Sequence, residues 1–261
     1  MLGYRTIFKH SWILITFWHR DVSLPAAWIF LVMCHGCPSH PYDHTPVGNQ
    51  KLLQKWYILV FVNYLWTWWS DGYCTFDNSI DTISAVIDFI RCWNAADTRS
   101  GKNILWHSEE IILIWASFWG SVVLCAWAHS QYIKKIISCS PVLDWHKYTL
   151  HYQENIDSIV NFLKKSYNQL WRCRDVDLER FSRGCIHVNP VDHVEKLKTK
   201  QVLVLHDILD PQVPYEESYN FAQRIGWKNI TFLSYSYQKH ILLHHLDGLD
   251  FFEKIDEFLM K

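Results

Sequence analysis

From about residue 27 onward, short runs that are apolar at nearly every position alternate with stretches whose apolar residues recur at helical spacing. The apolar runs are WIFLVM (28–33), YILVFVNY (57–64), IILIWA (111–116), KKIISCS (134–140), QVLVLHD (201–207) and NITFLSY (229–235). Continuous hydrophobicity over so few residues predicts strands buried on both faces, as in a parallel sheet. An earlier run, SWILITFW, lies between His10 and His19. It falls far short of the ~20 apolar residues of a membrane span and reads as a further strand.

Between the strands, residues 77–93 place Ile80, Ile83, Val86, Ile87 and Ile90 on one helical face, with Asp77 or Asn78 as the N-cap. Residues 214–225 open with proline and then acidic residues, a helix start, and residues 249–261 form a terminal amphipathic helix. Strand–helix alternation predicts an α/β fold with a doubly wound, mostly parallel sheet and helices on both faces. Residues 144–198 interrupt the rhythm: they are polar, rich in Lys, Arg, His and Tyr, and carry no clear strand. They read as a small cap inserted in one domain spanning residues 25–261, with residues 1–24 as an N-terminal strand or extension.

Composition narrows the class. A net charge of −1 gives no footprint for nucleic acid or for an anionic membrane surface. The short N-terminal run has no small-residue cleavage site after it, so the expected location is cytoplasmic. The eight cysteines lie mostly inside apolar runs, as buried thiols do, and the lone Cys34-x-x-Cys37 pair has no second pair at zinc spacing. No metal or cofactor is expected. Two counts stand out: glycine occurs 9 times, where average usage would give roughly twice that, and tryptophan occurs 15 times.

In doubly wound folds the reactive groups gather on loops at the carboxyl ends of strands. Here those loops hold CHGCPSHP, Ser117, DILDPQVP with Asp210, and SYQKHILLHH with His240. The chain order Ser117, Asp210, His240 is that of a hydrolase triad, each member following a predicted strand. A serine hydroxyl needs a histidine to take its proton, and that imidazole needs a carboxylate to fix its tautomer. His244 and His245 fall on the next turn and read as surface or cap residues, and Asp207 is the rival acid.

Six segments then resemble the motifs of one family, in its order and at its spacing. VMCHGCPSH is similar to the H-G-G-P loop of the prolyl oligopeptidase family of serine peptidases, and VFVNYLWTWWSDG to its N-Y-R-G-x-G-x-x-G segment. WASFWGS resembles G-x-S-x-G-G, and SPVLDWHKY resembles S-P-V-x-D-W. LHDILDPQVPYEES resembles H-G-x-x-D-x-x-V-P-x-x-x-S, and QKHILL the final histidine loop. The resemblance implies an α/β-hydrolase domain that cleaves peptide or related acyl bonds of a small substrate without a cofactor. It makes Ser117 the nucleophile, Asp210 the orienting acid and His240 the general base. It also assigns the oxyanion-hole N–H groups to Phe118 and to the loop at Gly36 and Cys37.

The departures are systematic. Cys37, Trp66, Trp68 or Trp69, Trp115, Trp119 and Asp207 stand at family glycines, and Leu65 at the family arginine. Tryptophan is therefore abundant where glycine is scarce, often at the same sites. An indole on either side of Ser117 predicts a splayed strand–helix junction and an impaired nucleophile. The sequence leaves open a serine peptidase, a carboxylesterase of the same fold, and an inactive homologue kept as a scaffold.

Overall fold

The computed structural model describes residues 4–19, 27–34, 47–65, 67–73, 75–128, 130–166, 170–240 and 251–260. The chain begins with an antiparallel hairpin, β1 (Tyr4–His10) and β2 (Ile13–His19), turning at Ser11 with φ 54°. β3 (Ala27–Met33), α1 (Val47–Gln54), β4 (Ile58–Val62) and α2 (Asn78–Arg91) follow. A small separate hairpin, β5 (Asn94–Ala96) and β6 (Asn103–Leu105), precedes β7 (His107–Ala116), α3 (Ser117–Ala128) and β8 (Ile133–Cys139). Four helices then occupy the polar segment: α4 (Trp145–His151), α5 (Gln153–Ser166), α6 (Asp175–Ser182) and, after a 3-10 turn at Pro190–His193, α7 (Val194–Leu197). The chain closes with β9 (Gln201–Asp207), α8 (Tyr215–Ile225), β10 (Ile230–Tyr235) and α9 (Phe251–Met260).

Eight strands form one sheet in the order β1-β2-β4-β3-β7-β8-β9-β10. The pairs β1–β2 and β2–β4 are antiparallel, and every pair from β4–β3 to β9–β10 is parallel. The doubly wound, mostly parallel sheet expected from the apolar runs is the fold observed. β9 spans the run read from the sequence, 201–207, and the other main strands match their runs to within a few residues.

Burial follows sheet position. β4 is buried at every residue, and β7 is buried throughout its second half, where β3 and β8 flank it. α3 carries apolar residues on all sides and is buried along nearly its whole length, so it runs between the sheet and the α4–α7 segment. Of the two cap candidates, Asp77 takes the N-cap position of α2 but makes no side-chain capping bond, and the Thr75 hydroxyl accepts from Asn78 N at 3.1 Å. The Asp77 carboxylate accepts from the Arg180 guanidinium at 3.2 Å and from His187 N at 2.6 Å, tying the start of α2 to the helical insertion.

Topology then places the chemistry. The chain runs outward from β3 to β4 and returns to β7 on the other side of β3, so the strand order reverses there. Ligands of such sheets bind at that reversal, beyond the carboxyl ends of the strands. Registers Ala116↔Cys139, Cys139↔Leu205 and Asp207↔Tyr235 bring the carboxyl ends of β7, β8, β9 and β10 to that one edge.

Candidate active site

β7 passes into α3 without a loop, and Ser117 is the hinge residue. Its φ is 57°, the left-handed region that a residue with a Cβ occupies only under strain of about 1–3 kcal/mol. This is the sharp strand–helix turn that lifts a serine hydroxyl above a sheet edge. Phe118 lies in the first turn of α3, where backbone N–H groups have no partner within the helix and can face an anion.

The flanking tryptophans do not splay this turn. Trp115 pairs through its backbone with Ser138 and is buried, and Trp119 is fully buried. The Trp119 indole stacks on Tyr64 with ring centroids 3.9 Å apart and planes at 18°. The close approach of helix to sheet occurs one residue later. A Cβ on Gly120 would lie 2.8 Å from Ser138 Oγ and 3.1 Å from Pro141 Cβ.

Asp210 and His240 come together at this edge. His240 Nδ1 lies 2.9 Å from Asp210 Oδ2 and 3.1 Å from Oδ1. An ionised carboxylate only accepts, so Nδ1 carries the proton and Nε2 of the neutral ring is left as the acceptor. Asp210 Oδ1 also accepts from Gln212 N at 2.8 Å and Val213 N at 3.0 Å. Burial pushes the Asp210 carboxyl upward, but bonding from His206, His240 and Val213 N outweighs it and holds the group well below the ordinary carboxylate range.

The bonding of His206 was not anticipated. It is fully buried, with Nε2 3.1 Å from Val213 O and 3.4 Å from Asp210 Oδ2, and Nδ1 2.7 Å from Ser218 Oγ. Nε2 faces acceptors alone, so it holds the ring proton and Ser218 donates to Nδ1. The twelve-residue spacing of His206 and Ser218 within one motif was the available signal.

Beside Ser117 opens a cleft of about 190 Å³, walled by Phe118, Val142, Trp145, Tyr148, Ile159 and Phe181. Asn155, Ser158 and Gln212 add polar groups to its lining. The Tyr148 hydroxyl donates to Gln212 O at 3.1 Å, joining α4 to the Asp210 loop.

Among the described residues no hydrogen bond joins Ser117 to His240. Gly36 and Cys37, the remaining oxyanion-hole candidates, lie outside the described residues, as do His244 and His245. Asp207 faces neither His206 nor His240 with a hydrogen bond; its carboxylate accepts from backbone amides. Among the described residues no helix is long and apolar enough to cross a membrane, and no cluster of His, Cys, Asp or Glu is arranged to hold a metal ion.

The sequence profile of the prolyl oligopeptidase family matches residues 83–261. Among curated protein sequences none matches significantly. Solved structures with similar folds include the esterase Pf2001 of Pyrococcus furiosus, 16% identical with a TM-score of 0.72 over 99% of this chain and 90% of that one. Est1E of Butyrivibrio proteoclasticus is 19% identical, with a TM-score of 0.64 over 99% of this chain and 100% of that one. The acylaminoacyl peptidase of Pyrococcus horikoshii is 15% identical, with a TM-score of 0.66 over 98% of this chain but 42% of that one. At these identities the likeness establishes a shared α/β-hydrolase fold.

Proposed function

Because the chain belongs to the prolyl oligopeptidase family and is a serine-type hydrolase of α/β-hydrolase fold, we propose that it cleaves small acyl esters or peptide bonds through Ser117, His240 and Asp210. The observation that carries this reading is the 2.9 Å contact of His240 Nδ1 with Asp210, at the sheet edge where Ser117 holds φ 57°. In the first half-reaction the Ser117 hydroxyl gives its proton to His240 Nε2 as its oxygen bonds to the carbonyl carbon. The carbonyl oxygen takes the electron pair, and the Phe118 amide faces the developing charge. Collapse breaks the bond to the alcohol or amine, which leaves with the proton from His240. Water then repeats the sequence on the acyl-enzyme and restores Ser117.

The aromatic wall of the cleft supports an apolar or aromatic acyl group as its occupant. In this reading residues 144–198 act as the cap, since α4, α5 and α6 supply Trp145, Tyr148, Ile159 and Phe181 to that wall.

A second reading follows from the missing Ser117–His240 hydrogen bond: a hydrolase fold whose nucleophile is not activated. A fluorophosphonate probe separates the two. Covalent labelling that disappears in Ser117→Ala supports the catalytic reading; folded protein that never labels sinks it. Phenylacyl esters and peptidyl anilides, compared by kcat/KM, then decide between ester and peptide substrates.

A further inference from the structure

We propose that Asp207 is a positioning residue that holds the loops bearing Asp210 and His240 in mutual register. Its catalytic meaning rests on the hydrolase reading, although the geometry stands without it. β9 ends on Asp207, and the side chain is completely buried. Oδ1 accepts from Leu209 N at 2.8 Å. Oδ2 accepts from Tyr237 N at 2.7 Å and Lys239 N at 3.1 Å. One carboxylate thus grips the residue before Asp210 and the residue before His240.

The grip begins where the sheet ends. The last β9–β10 register pair is Asp207↔Tyr235, and Ile208 N still reaches Tyr235 O at 2.7 Å. Beyond it, Gln238 takes φ 57° between the two amides that converge on Oδ2. Amides spaced two apart around a left-handed residue form a concavity suited to an anion. Here the chain supplies that anion itself, and charge-assisted hydrogen bonds offset the strain at Gln238. The motif that this segment resembles has glycine at 207, which has no side chain to make these bonds. Displacing the 237–240 segment by about 1 Å would move the imidazole out of line with Asp210, an error on the order of 10²-fold in rate.

Asp207→Asn conserves volume but offers one oxygen to three donors, and Asp207→Gly removes the acceptor altogether. The low-field proton of His240 Nδ1, assigned by its absence in His240→Gln, reports the His240–Asp210 pair whether or not the protein turns over. Folded variants are expected to lose or displace that resonance. They are also expected to lose about 10–100-fold in kcat on a p-nitrophenyl ester, with KM changed less than about two-fold. In the wild type, the amides of Tyr237 and Lys239 should exchange with solvent as slowly as those of β10. This readout remains available should both variants fail to fold, and rapid exchange at both amides overturns the proposal. So does a folded variant that keeps the resonance in place. A wild type that neither labels nor hydrolyses esters refutes the hydrolase reading alone, because resonance and exchange still decide the role of Asp207.

Discussion

Trp119→Gly restores the residue that the family motif carries beside the nucleophile, and the structure predicts that the change is harmful. The indole is fully buried, stacked on Tyr64, edge-on to Phe118 at 4.6 Å, and 6.2 Å from Trp171. Removing roughly 200 Å² of buried aromatic surface at about 25 cal/mol per Å² forfeits about 5 kcal/mol. Truncations of buried aromatic residues to alanine span about 3–5 kcal/mol. Glycine in a helix adds up to about 1 kcal/mol more. The expected loss is therefore about 4–6 kcal/mol, a large part of the 5–15 kcal/mol that stabilises a typical domain. At about 2–4 °C per kcal/mol for a chain of this size, Tm should fall by roughly 10–20 °C. Urea and thermal unfolding followed by far-UV circular dichroism measure this without relying on tryptophan fluorescence. A variant with unchanged Tm and faster fluorophosphonate labelling would refute the reasoning, since the indole would then be an obstruction at the nucleophile and not a core residue.

Two further substitutions test the site from other sides. Asp210 is held well below its ordinary value of 3.8. Its ionised form therefore contributes stability that is fully present above that value and is lost as pH falls below it. From about pH 6 to about pH 3 the wild-type urea midpoint should fall more steeply than that of Asp210→Asn; parallel slopes would show that Asp210 is not held low. Gly120→Ala puts a Cβ 2.8 Å from Ser138 Oγ, so a loss of about 1–3 kcal/mol is expected, and unchanged stability would show that α3 and β8 can part freely.

What the sequence disclosed, it disclosed through local pattern. Strands buried on both faces announced themselves as apolar runs, and the residues following β7, β9 and β10 include Ser117, Asp210 and His240. β1 escaped notice because an edge strand mixes exposed and buried positions, and YRTIFKH has no apolar run. In the 144–198 segment polar composition masked a helical period: Ile156, Ile159, Val160 and Leu163 lie on one side of α5. The roles of Asp207 and His206 were not legible in this way. Asp207 acts on amides 30 and 32 residues away, and His206 acquires its bonding when Ser218, Val213 and Asp210 fold around it.

The exchange of glycine for larger residues also acquires a physical sorting. Glycine is favoured where a Cβ would crowd close-packed neighbours, and Gly120, against Ser138 and Pro141, is such a place. At 115 and 119 the side chain has somewhere to go: both indoles are buried, and Ser117 still holds its left-handed φ of 57°. Of the two candidates for a family glycine at 68 and 69, Trp68 takes φ 47° and bears the strain of a Cβ there. At 207 the replacement adds bonding that glycine cannot supply. The tryptophans beside the nucleophile therefore pack as core residues and leave the turn at Ser117 in place. Under the proposed mechanism turnover requires His240 to reach Ser117, and the segment that carries His240 is bonded to Asp207 through the amides of Tyr237 and Lys239.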